Sequence, residues 1–253
     1  EQNEWMGNSE DEKFKIYLKN IQTNPLHDEV VNEFGGVVLA NSGYLDINTL
    51  MDSYSKFLKE KNALIQEFFD ESQVIFKNEE IHYHDIRAKG IVYCNGLGAM
   101  KSEFFKFLPF APVKGEILDL EQDFHPEEII NRGVFRISLP NGLVRVGSTY
   151  SWHDLDLGPT ERAKNELYER LENLVKIKSK NLVYHKTGIR PATKDRRPML
   201  GKHPDQESVY VFNGFGAKGV SLVPYYSKMM IDLLINHNQP HNDVNISRFF
   251  KYI

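Results

Sequence analysis

The chain contains little of what marks disulfide-rich, membrane-spanning or secreted proteins. Its 253 residues include one cysteine, Cys94, which excludes an internal disulfide framework and is compatible with a reducing compartment, so we expect a cytoplasmic protein. No apolar run approaches the roughly 18 residues of a membrane-spanning helix, and the N-terminal residues lack a signal-peptide pattern. The composition, 41% hydrophobic and 26% charged, is that of an ordinary globular protein without internal repeats.

The charge balance and the reactive side chains argue against nucleic-acid binding, metal binding and hydrolase activity. Lysine and arginine number 31 against 35 aspartate and glutamate residues, so there is no large basic field of the kind that binds nucleic acid. His82 and His84 could share one face of a strand, but no residue supplies the third and fourth ligands of a metal site. The serines lack the setting of an activated nucleophile, which excludes a hydrolase. We predict no metal and a small-molecule substrate, and the oligomeric state stays open.

Functional signals are concentrated near the C-terminus. The stretch GIRPATKDRRPMLG, which starts at Gly188, reads as a turn that presents Arg190. It is followed by a strand-like segment, SVYVFN, by the glycine loop GFGAKG and by an apolar helical pattern from Val220 to Ile235. Glycine loops at helix N-termini bind anionic or electron-rich ligands, so we expect the functional site here.

The three glycines of this loop spell G-x-G-x-x-G at Gly214, Gly216 and Gly219. In the dinucleotide fingerprint, that motif belongs to a βαβ unit with an acidic residue at the end of the second strand. Here the chain after the helix runs NHNQPHNDVN, which is polar and broken by proline, so no second strand is predicted. The glycines therefore serve something other than an ADP pyrophosphate.

Helical periodicity appears in four places. We predict that the N-terminal octet is disordered. The predicted helices run from Asp11 to about Ile21, from Ile47 to about Phe69, from Glu161 to Val175, and from the glycine loop to Ile235. Asp46 would cap the second helix and Thr160 the third. In the last helix, Pro224 fits the first turn, and we expect Tyr225, Met229 and Leu233 to be buried.

Strand signals separate these helices. We predict short strands at 73–76, 81–83 and 90–94, and the last is an apolar run typical of a central parallel strand. From Val113 to Tyr150, alternating segments joined by the turn Pro140-Asn141-Gly142 predict an antiparallel sheet. The order of these elements predicts a mixed α/β fold.

Several stretches together resemble the D-amino-acid oxidase superfamily of FAD-dependent oxidoreductases, the group of glycine oxidase, sarcosine oxidase and D-amino acid dehydrogenase. The resemblance runs from about Phe34 onward. It is carried by FGG with GYLDINTL, IRAKGIVYCNGLGA, PVKGEIL, LVRVGSTYSW, GIRPATKDRRPMLG and GFGAKG.

The resemblance implies an incomplete FAD-binding Rossmann-like domain and an antiparallel substrate domain. The segments would be 1–33, a helical part of the substrate domain; 34–107, FAD domain; 108–185, substrate domain; and 186–253, FAD domain. Family members begin with a strand, a G-x-G-x-x-G turn and a helix that hold the ADP half of FAD, but this chain begins EQNEWMGNSEDEKFK. We therefore expect a C-terminal piece of a longer protein that binds FAD weakly or not at all and is inactive alone.

The resemblance also assigns the substrate site. Arg190 would bind the α-carboxylate of the substrate, whereas the alternative is a structural salt bridge with an acid such as Asp195. Lys218 would lie near flavin and substrate, or be solvated. Tyr150 would face the substrate, or be an ordinary core aromatic. Thr193 and Asp195 would brace the turn of Arg190.

The cofactor would be held largely by main-chain groups. The glycine loop and helix dipole would face the flavin N1–C2=O edge, and the turn after the 90–94 strand would lie near the ribityl chain, although a plain helix-entry turn is the alternative. The cofactor residues implied are Asn95, Gly96, Gly188, Gly214, Phe215, Gly216, Ala217, Lys218, Gly219 and Val220.

The implied reaction is oxidation of an amine or amino acid at its C–N bond by hydride transfer to flavin N5, followed by hydrolysis of the imine. Such a site needs anchors rather than strong acids or bases, so we assign no catalytic residue. Two alternatives stay open. One is the oxidase domain of a tRNA wobble-uridine methylaminomethyl modification enzyme, whose loop resembles GFGAKG. The other is a non-catalytic module that has kept the fold.

Overall fold

The computed structural model describes residues 2–78, 80–156, 158–177 and 181–252. The chain forms two compact units, the first made of 1–46, 115–150 and 156–188, and the second of 47–114, 151–155 and 189–253. The mixed α/β class is confirmed. The division into four segments along the chain stays a prediction.

Helices and strands alternate irregularly along the described residues. The helices are α1 (Gln2–Glu10), α2 (Glu12–Lys15), α3 (Ile47–Glu60), α4 (Glu161–Glu172) and α5 (Gly219–Asn236). The strands are β1 (Leu18–Gln22), β2 (Gly36–Leu39), β3 (Ile75–Lys77), β4 (Glu80–Tyr83), β5 (Ile86–Ala88), β6 (Ile91–Tyr93), β7 (Val113–Glu121), β8 (Ile130–Asn131), β9 (Phe135–Ser138), β10 (Val144–Gly147), β11 (Asn181–Arg190), β12 (Met199–Lys202) and β13 (Val209–Asn213). Among the described residues, no helix is both long and apolar enough to cross a membrane.

The N-terminal prediction is wrong in two respects. The octet expected to be disordered is helical from Gln2 onward, as part of α1. The helix expected from Asp11 to Ile21 ends at Lys15, and the following residues form β1, which pairs antiparallel with β2. The apolar side chains have helical spacing, but the main chain of β1 forms hydrogen bonds with β2. A local sequence pattern does not include that partner strand, because β2 is distant along the chain.

The first unit contains a five-stranded sheet in the order β11-β7-β10-β9-β8. The predicted antiparallel pairing is confirmed, with Val144 of β10 opposite Leu120 of β7 and Ser138 of β9. The hairpin turn is also confirmed, because the Leu139 N–H donates to the Leu143 carbonyl at 2.8 Å and Gly142 has φ +79°.

Helix α4 covers one face of this sheet. It begins after Thr160 as predicted, and the Thr160 side chain accepts a hydrogen bond from the Ala163 N–H. Leu167, Leu171 and Leu174 are buried, as predicted, against strands β7 and β10. Their shared apolar core includes Leu118, Leu120, Val144 and Val146.

The second unit contains a three-stranded sheet in the order β12-β13-β6. Strand β6 runs parallel to β13, as predicted, but lies at an edge of the sheet among the described strands rather than in its centre. Apolar clusters flank the sheet: one includes Tyr93, Phe105, Met199 and Val211, and another joins α5 to Leu200 and Tyr210.

Two other boundaries differ from prediction. Helix α3 begins at Ile47 as predicted but stops at Glu60, because the chain turns at Asn62 with φ +52°. The strand expected at 73–76 is shifted to β3, since a three-ten turn capped by Asp70 occupies 71–73.

The last helix also differs in detail. Pro224 lies inside α5, beyond its first turn. Tyr225 is exposed rather than buried, and Met230 with Leu233 supplies the buried side of the helix. The helix ends at His237, which has φ +59°.

Candidate functional site

The candidate site lies in the second unit, where two parallel strands end side by side. Strand β6 leads into the turn at Gly96, and β13 leads into the turn that holds Gly214 and Gly216. All three glycines have positive φ, of +56°, +76° and +53°, where residues with a Cβ are disfavoured. Ligands of open α/β sheets bind at the carboxyl ends of such strands.

Asn213 joins the two turns. Its side chain is almost fully buried at the end of β13. The Nδ2 donates to the Gly96 carbonyl at 2.9 Å, and the Oδ1 accepts from the Gly214 N–H at 2.8 Å. The sequence analysis missed this residue, although a polar side chain that ends an apolar strand directly before a glycine is a usable signal.

Arg190 is the last residue of β11 rather than part of a turn, which corrects the sequence prediction. The turn follows it. The Pro191 carbonyl accepts a hydrogen bond from the Gly216 N–H at 3.2 Å, and a Cβ on Gly216 would lie 3.4 Å from the Ala192 Cβ. The structure therefore brings the residues next to Arg190 against the glycine loop.

Thr193 and Asp195 bond within this same segment, as expected of bracing residues. The Thr193 hydroxyl is buried and donates to the Arg197 carbonyl at 2.9 Å. The Asp195 carboxylate accepts from the Arg197 N–H at 3.1 Å and from the Arg248 Nε at 2.9 Å. Asp195 thus has an ion-pair partner in Arg248, whereas the salt-bridge alternative had named Arg190.

Helix α5 begins at the end of the glycine loop, and the side chain of its N-cap residue does not cap the helix. Lys218 occupies the N-cap position and makes no side-chain cap hydrogen bond, in contrast to Thr160 of α4. Its side chain is exposed, as are Ala217 and Val220. Such a helix start presents N–H groups and the positive end of the helix dipole to a ligand.

Phe215 contributes its main chain rather than its ring to this loop. The ring packs 4.7 Å from the ring of Phe212, centroid to centroid, in the apolar cluster beneath α5. The Phe215 carbonyl accepts from the Lys218 N–H at 2.9 Å, which closes the three-ten turn Gly216–Lys218. Gly219 is the first residue of α5, and a Cβ there would meet nothing closer than 3.9 Å.

The remaining candidates lie outside the glycine loop. Asn95 is exposed and precedes the three-ten turn Gly96–Lys101 in the second unit. Tyr150 and Gly188 belong to the first unit. The Tyr150 ring is 55% exposed and is not a core aromatic, and Gly188 lies within β11, where a Cβ would have no atom within 4 Å.

The structure offers no metal site in its described part. There, no group of three or more histidine, cysteine, aspartate or glutamate side chains could hold an ion. His82 lies in β4, but His84 follows the strand with φ +50°, stacks on Tyr83 and hydrogen-bonds Gln73, so the two histidines do not form the predicted pair on one strand.

Two glycine turns at the ends of parallel strands, together with a separate antiparallel sheet, define a mixed α/β protein, and in open α/β sheets this end of the strands is where ligands bind. The FAD dependent oxidoreductase family, DAO, matches residues 13–233. The chain belongs to this family.

Three similar proteins illustrate its relationships. Glycine oxidase from Pseudomonas putida is 30% identical over 130 residues, which is 50% of this chain and 36% of the relative. The tRNA 5-methylaminomethyl-2-thiouridine biosynthesis bifunctional protein MnmC from Leptospira interrogans is 24% identical over 194 residues, 62% of this chain and 30% of that protein. The crystal structure of iminodiacetate oxidase from Chelativorans sp. BNC1 matches with a TM-score of 0.64 and 20% sequence identity. The match covers 80% of this chain and 57% of the iminodiacetate oxidase chain. The chain thus spans well under two thirds of these proteins.

Proposed function

We propose that this chain supplies the flavin-contacting and substrate-binding part of an FAD-dependent enzyme that oxidises an amine or amino acid at its C–N bond. The observation that carries the proposal is the hydrogen bond between the Gly216 N–H and the Pro191 carbonyl, which attaches the segment after Arg190 to the glycine loop. Relatives named glycine oxidase and iminodiacetate oxidase support the substrate class.

The residues of the loop fit the flavin end of FAD. Gly214 and Gly216 adopt the left-handed backbone that residues with a Cβ disfavour, and their missing side chains leave room for Thr193, Met199 and Ala192 to pack against the loop. The loop would therefore contact a planar ring through its main chain. The N-terminus of α5 would stabilise negative charge on a neighbouring ring. Gly96, tied to the same place by Asn213, would lie beside the linker of the cofactor.

When bound, FAD would supply the two-electron acceptor for oxidation at the substrate's C–N bond, in which the carbon beside the nitrogen would give up a hydride and water would hydrolyse the resulting C=N bond. The chain holds the substrate. Arg190 would bind a carboxylate through two parallel N–H groups, and Lys218 and Tyr150 would contact the remaining polar groups. None of these roles requires a strong acid or base.

Two measurements test this proposal. A titration with FAD, followed by the visible spectrum, should show weak or no binding by this chain, because the chain covers only 57% of the iminodiacetate oxidase structure and a ligand that keeps only some of its contacts loses most of its affinity. Stoichiometric flavin in the purified chain would contradict that expectation. The flavin-loaded protein should lose its visible flavin absorbance anaerobically with glycine, sarcosine or iminodiacetate. A flavin that none of a broad amine panel reduces would overturn the proposed function.

A second candidate function is oxidation of an alkylamine on tRNA. The match to MnmC over 194 residues fits this candidate, although its 24% identity is lower than the 30% identity to the P. putida glycine oxidase. Reduction of the flavin by tRNA that carries an alkylaminomethyl uridine, with no reduction by free amino acids, would select this candidate. We predict a cytoplasmic location for either enzyme.

A further inference from the structure

Lys114 is a buried cation outside the glycine-loop site. It lies in β7, and its side chain is 0% exposed. An ammonium taken out of water is costly unless it is paired and hydrogen-bonded. Its Nζ donates to the Asp154 Oδ2 at 3.0 Å, and the Asp154 side chain is 43% exposed. The pair therefore joins a buried ammonium to a partly exposed carboxylate.

The main chain of Lys114 holds the same segment. Its N–H donates to the Ser151 carbonyl at 2.8 Å, and the Ser151 N–H donates back to the Lys114 carbonyl at 3.0 Å. This is a closed antiparallel bridge between the two residues. Lys114 thus holds the segment from Ser151 to Asp154 at both ends. Its main chain bonds to Ser151, and its side chain bonds to Asp154.

The attached segment carries an exposed aromatic. Trp152 lies between the two attachment points, and the residue is 54% exposed. Tyr150, a proposed substrate contact, directly precedes Ser151 in the chain and is 55% exposed. Large aromatic rings that are held rigidly and left open to solvent are suited to contact a ligand, because little conformational entropy is lost on binding.

We propose that Lys114 is a positioning residue that, through Ser151 and Asp154, fixes Trp152 and the preceding Tyr150 for contact with the amine substrate. The substrate part of this statement rests on the proposed function. The ammonium acts through Asp154 and the segment rather than on the reacting atoms.

The first test uses the chain alone and needs no flavin. In a Trp5→Phe background, Trp152 is the single tryptophan, and its quenching by acrylamide reports its exposure. Lys114→Met keeps the length of the side chain but removes its charge. It should raise the quenching constant by up to about twofold, the ratio of a fully exposed ring to one that is 54% exposed. Lys164→Met is the matched control, because Lys164 pairs with Glu161 on α4.

Equal quenching in Lys114→Met and Lys164→Met, with native circular dichroism, would overturn the proposal. If Lys114→Met does not fold, Asp154→Asn decides, since Asp154 is partly exposed and its loss releases the same segment. Increased quenching in folded Asp154→Asn supports the proposal, and unchanged quenching refutes it.

The second test measures kinetics in the flavin-loaded enzyme. Lys114→Met and Asp154→Asn should raise the KM for the amine by about tenfold while kcat stays within about twofold, because binding geometry changes and the chemical step does not. If Lys114 had only a structural role, its replacement would reduce the amount of folded enzyme and leave KM unchanged. That result would refute the proposed positioning role. If the wild type oxidises no amine, the proposed function fails, whereas the quenching result still decides whether Lys114 fixes the segment.

Discussion

The Asp195 carboxylate accepts a hydrogen bond from the Arg248 Nε at 2.9 Å. Arg248 also donates to the carbonyls of Asn245 and Pro198, each at 2.9 Å. Burial opposes ionisation of Asp195, but the hydrogen bonds from Arg248 and from the Arg197 N–H outweigh it and hold the pKa of this carboxyl below its ordinary value. The C-terminal turn thereby fixes the segment that leads from Arg190 to β12.

Replacement of Arg248 by Met should destabilise the chain by about 2 kcal/mol at neutral pH, the contribution of hydrogen bonds to a charged group. A lowered carboxyl pKa contributes stability that is present above the unfolded pKa, about 3.9, and is lost as pH falls through the folded value. The difference between wild type and variant in urea unfolding should therefore shrink as pH falls through and below that range. A difference that is independent of pH would show that the ion pair is not its source.

Asp119 offers a similar test in the first unit. Its buried carboxylate accepts from the Arg145 Nε at 2.7 Å and Nη2 at 2.9 Å, and from the Lys186 Nζ at 2.7 Å. Burial raises its pKa, but the bonds from the two cations more than offset this, and the net shift is downward. Arg145→Met should cost about 3 kcal/mol and Lys186→Met about 1 kcal/mol, because Lys186 is half-exposed and water screens its charge. Urea unfolding measures both, and equal losses would contradict this ranking.

Two glycines of the loop should respond oppositely to alanine. A Cβ at Gly214 would lie 2.7 Å from the Thr193 Cγ2 and 3.0 Å from the Met199 Cε, at φ +76°. Gly214→Ala should therefore destabilise by about 2 kcal/mol or more, from strain and overpacking. Gly219→Ala, in helical conformation with open space, should be neutral or stabilising by up to about 1 kcal/mol. Thermal unfolding of both variants checks this, and a destabilised Gly219→Ala would argue against the open space at that position.

Local signals predicted much of the fold. The Thr160 cap and the leucine spacing of α4, and the Pro140-Asn141-Gly142 turn, each depend on a few neighbouring residues, and each is confirmed. Strand β1 was mistaken for a helix because its partner β2 is remote in sequence.

The candidate site was predicted as two separate stretches. The glycines at 214 and 216 were predicted to form a loop before the last helix, and the structure shows that loop with a left-handed backbone at both. The contact of Asn213 with Gly96 spans 117 residues, and no local pattern contains it. Arg190 was placed in a turn because it lies between Gly188 and Pro191, but sheet pairing carries β11 through Gly188 to Arg190 and the turn follows.

The central claim, that Arg190 anchors the substrate, is tested most directly by the effect of replacing Arg190 on kcat/KM. In the flavin-loaded protein, Arg190→Ala should raise KM for the best carboxylate-bearing amine and lower kcat/KM by about 10²-fold or more, because a charge-assisted anchor is lost and the reacting carbon is misplaced. Arg162→Ala, on the exposed face of α4, is the matched control and should leave kcat/KM unchanged. Near-normal kcat/KM in Arg190→Ala, equal to that of Arg162→Ala, would contradict the assignment of Arg190 as the substrate anchor.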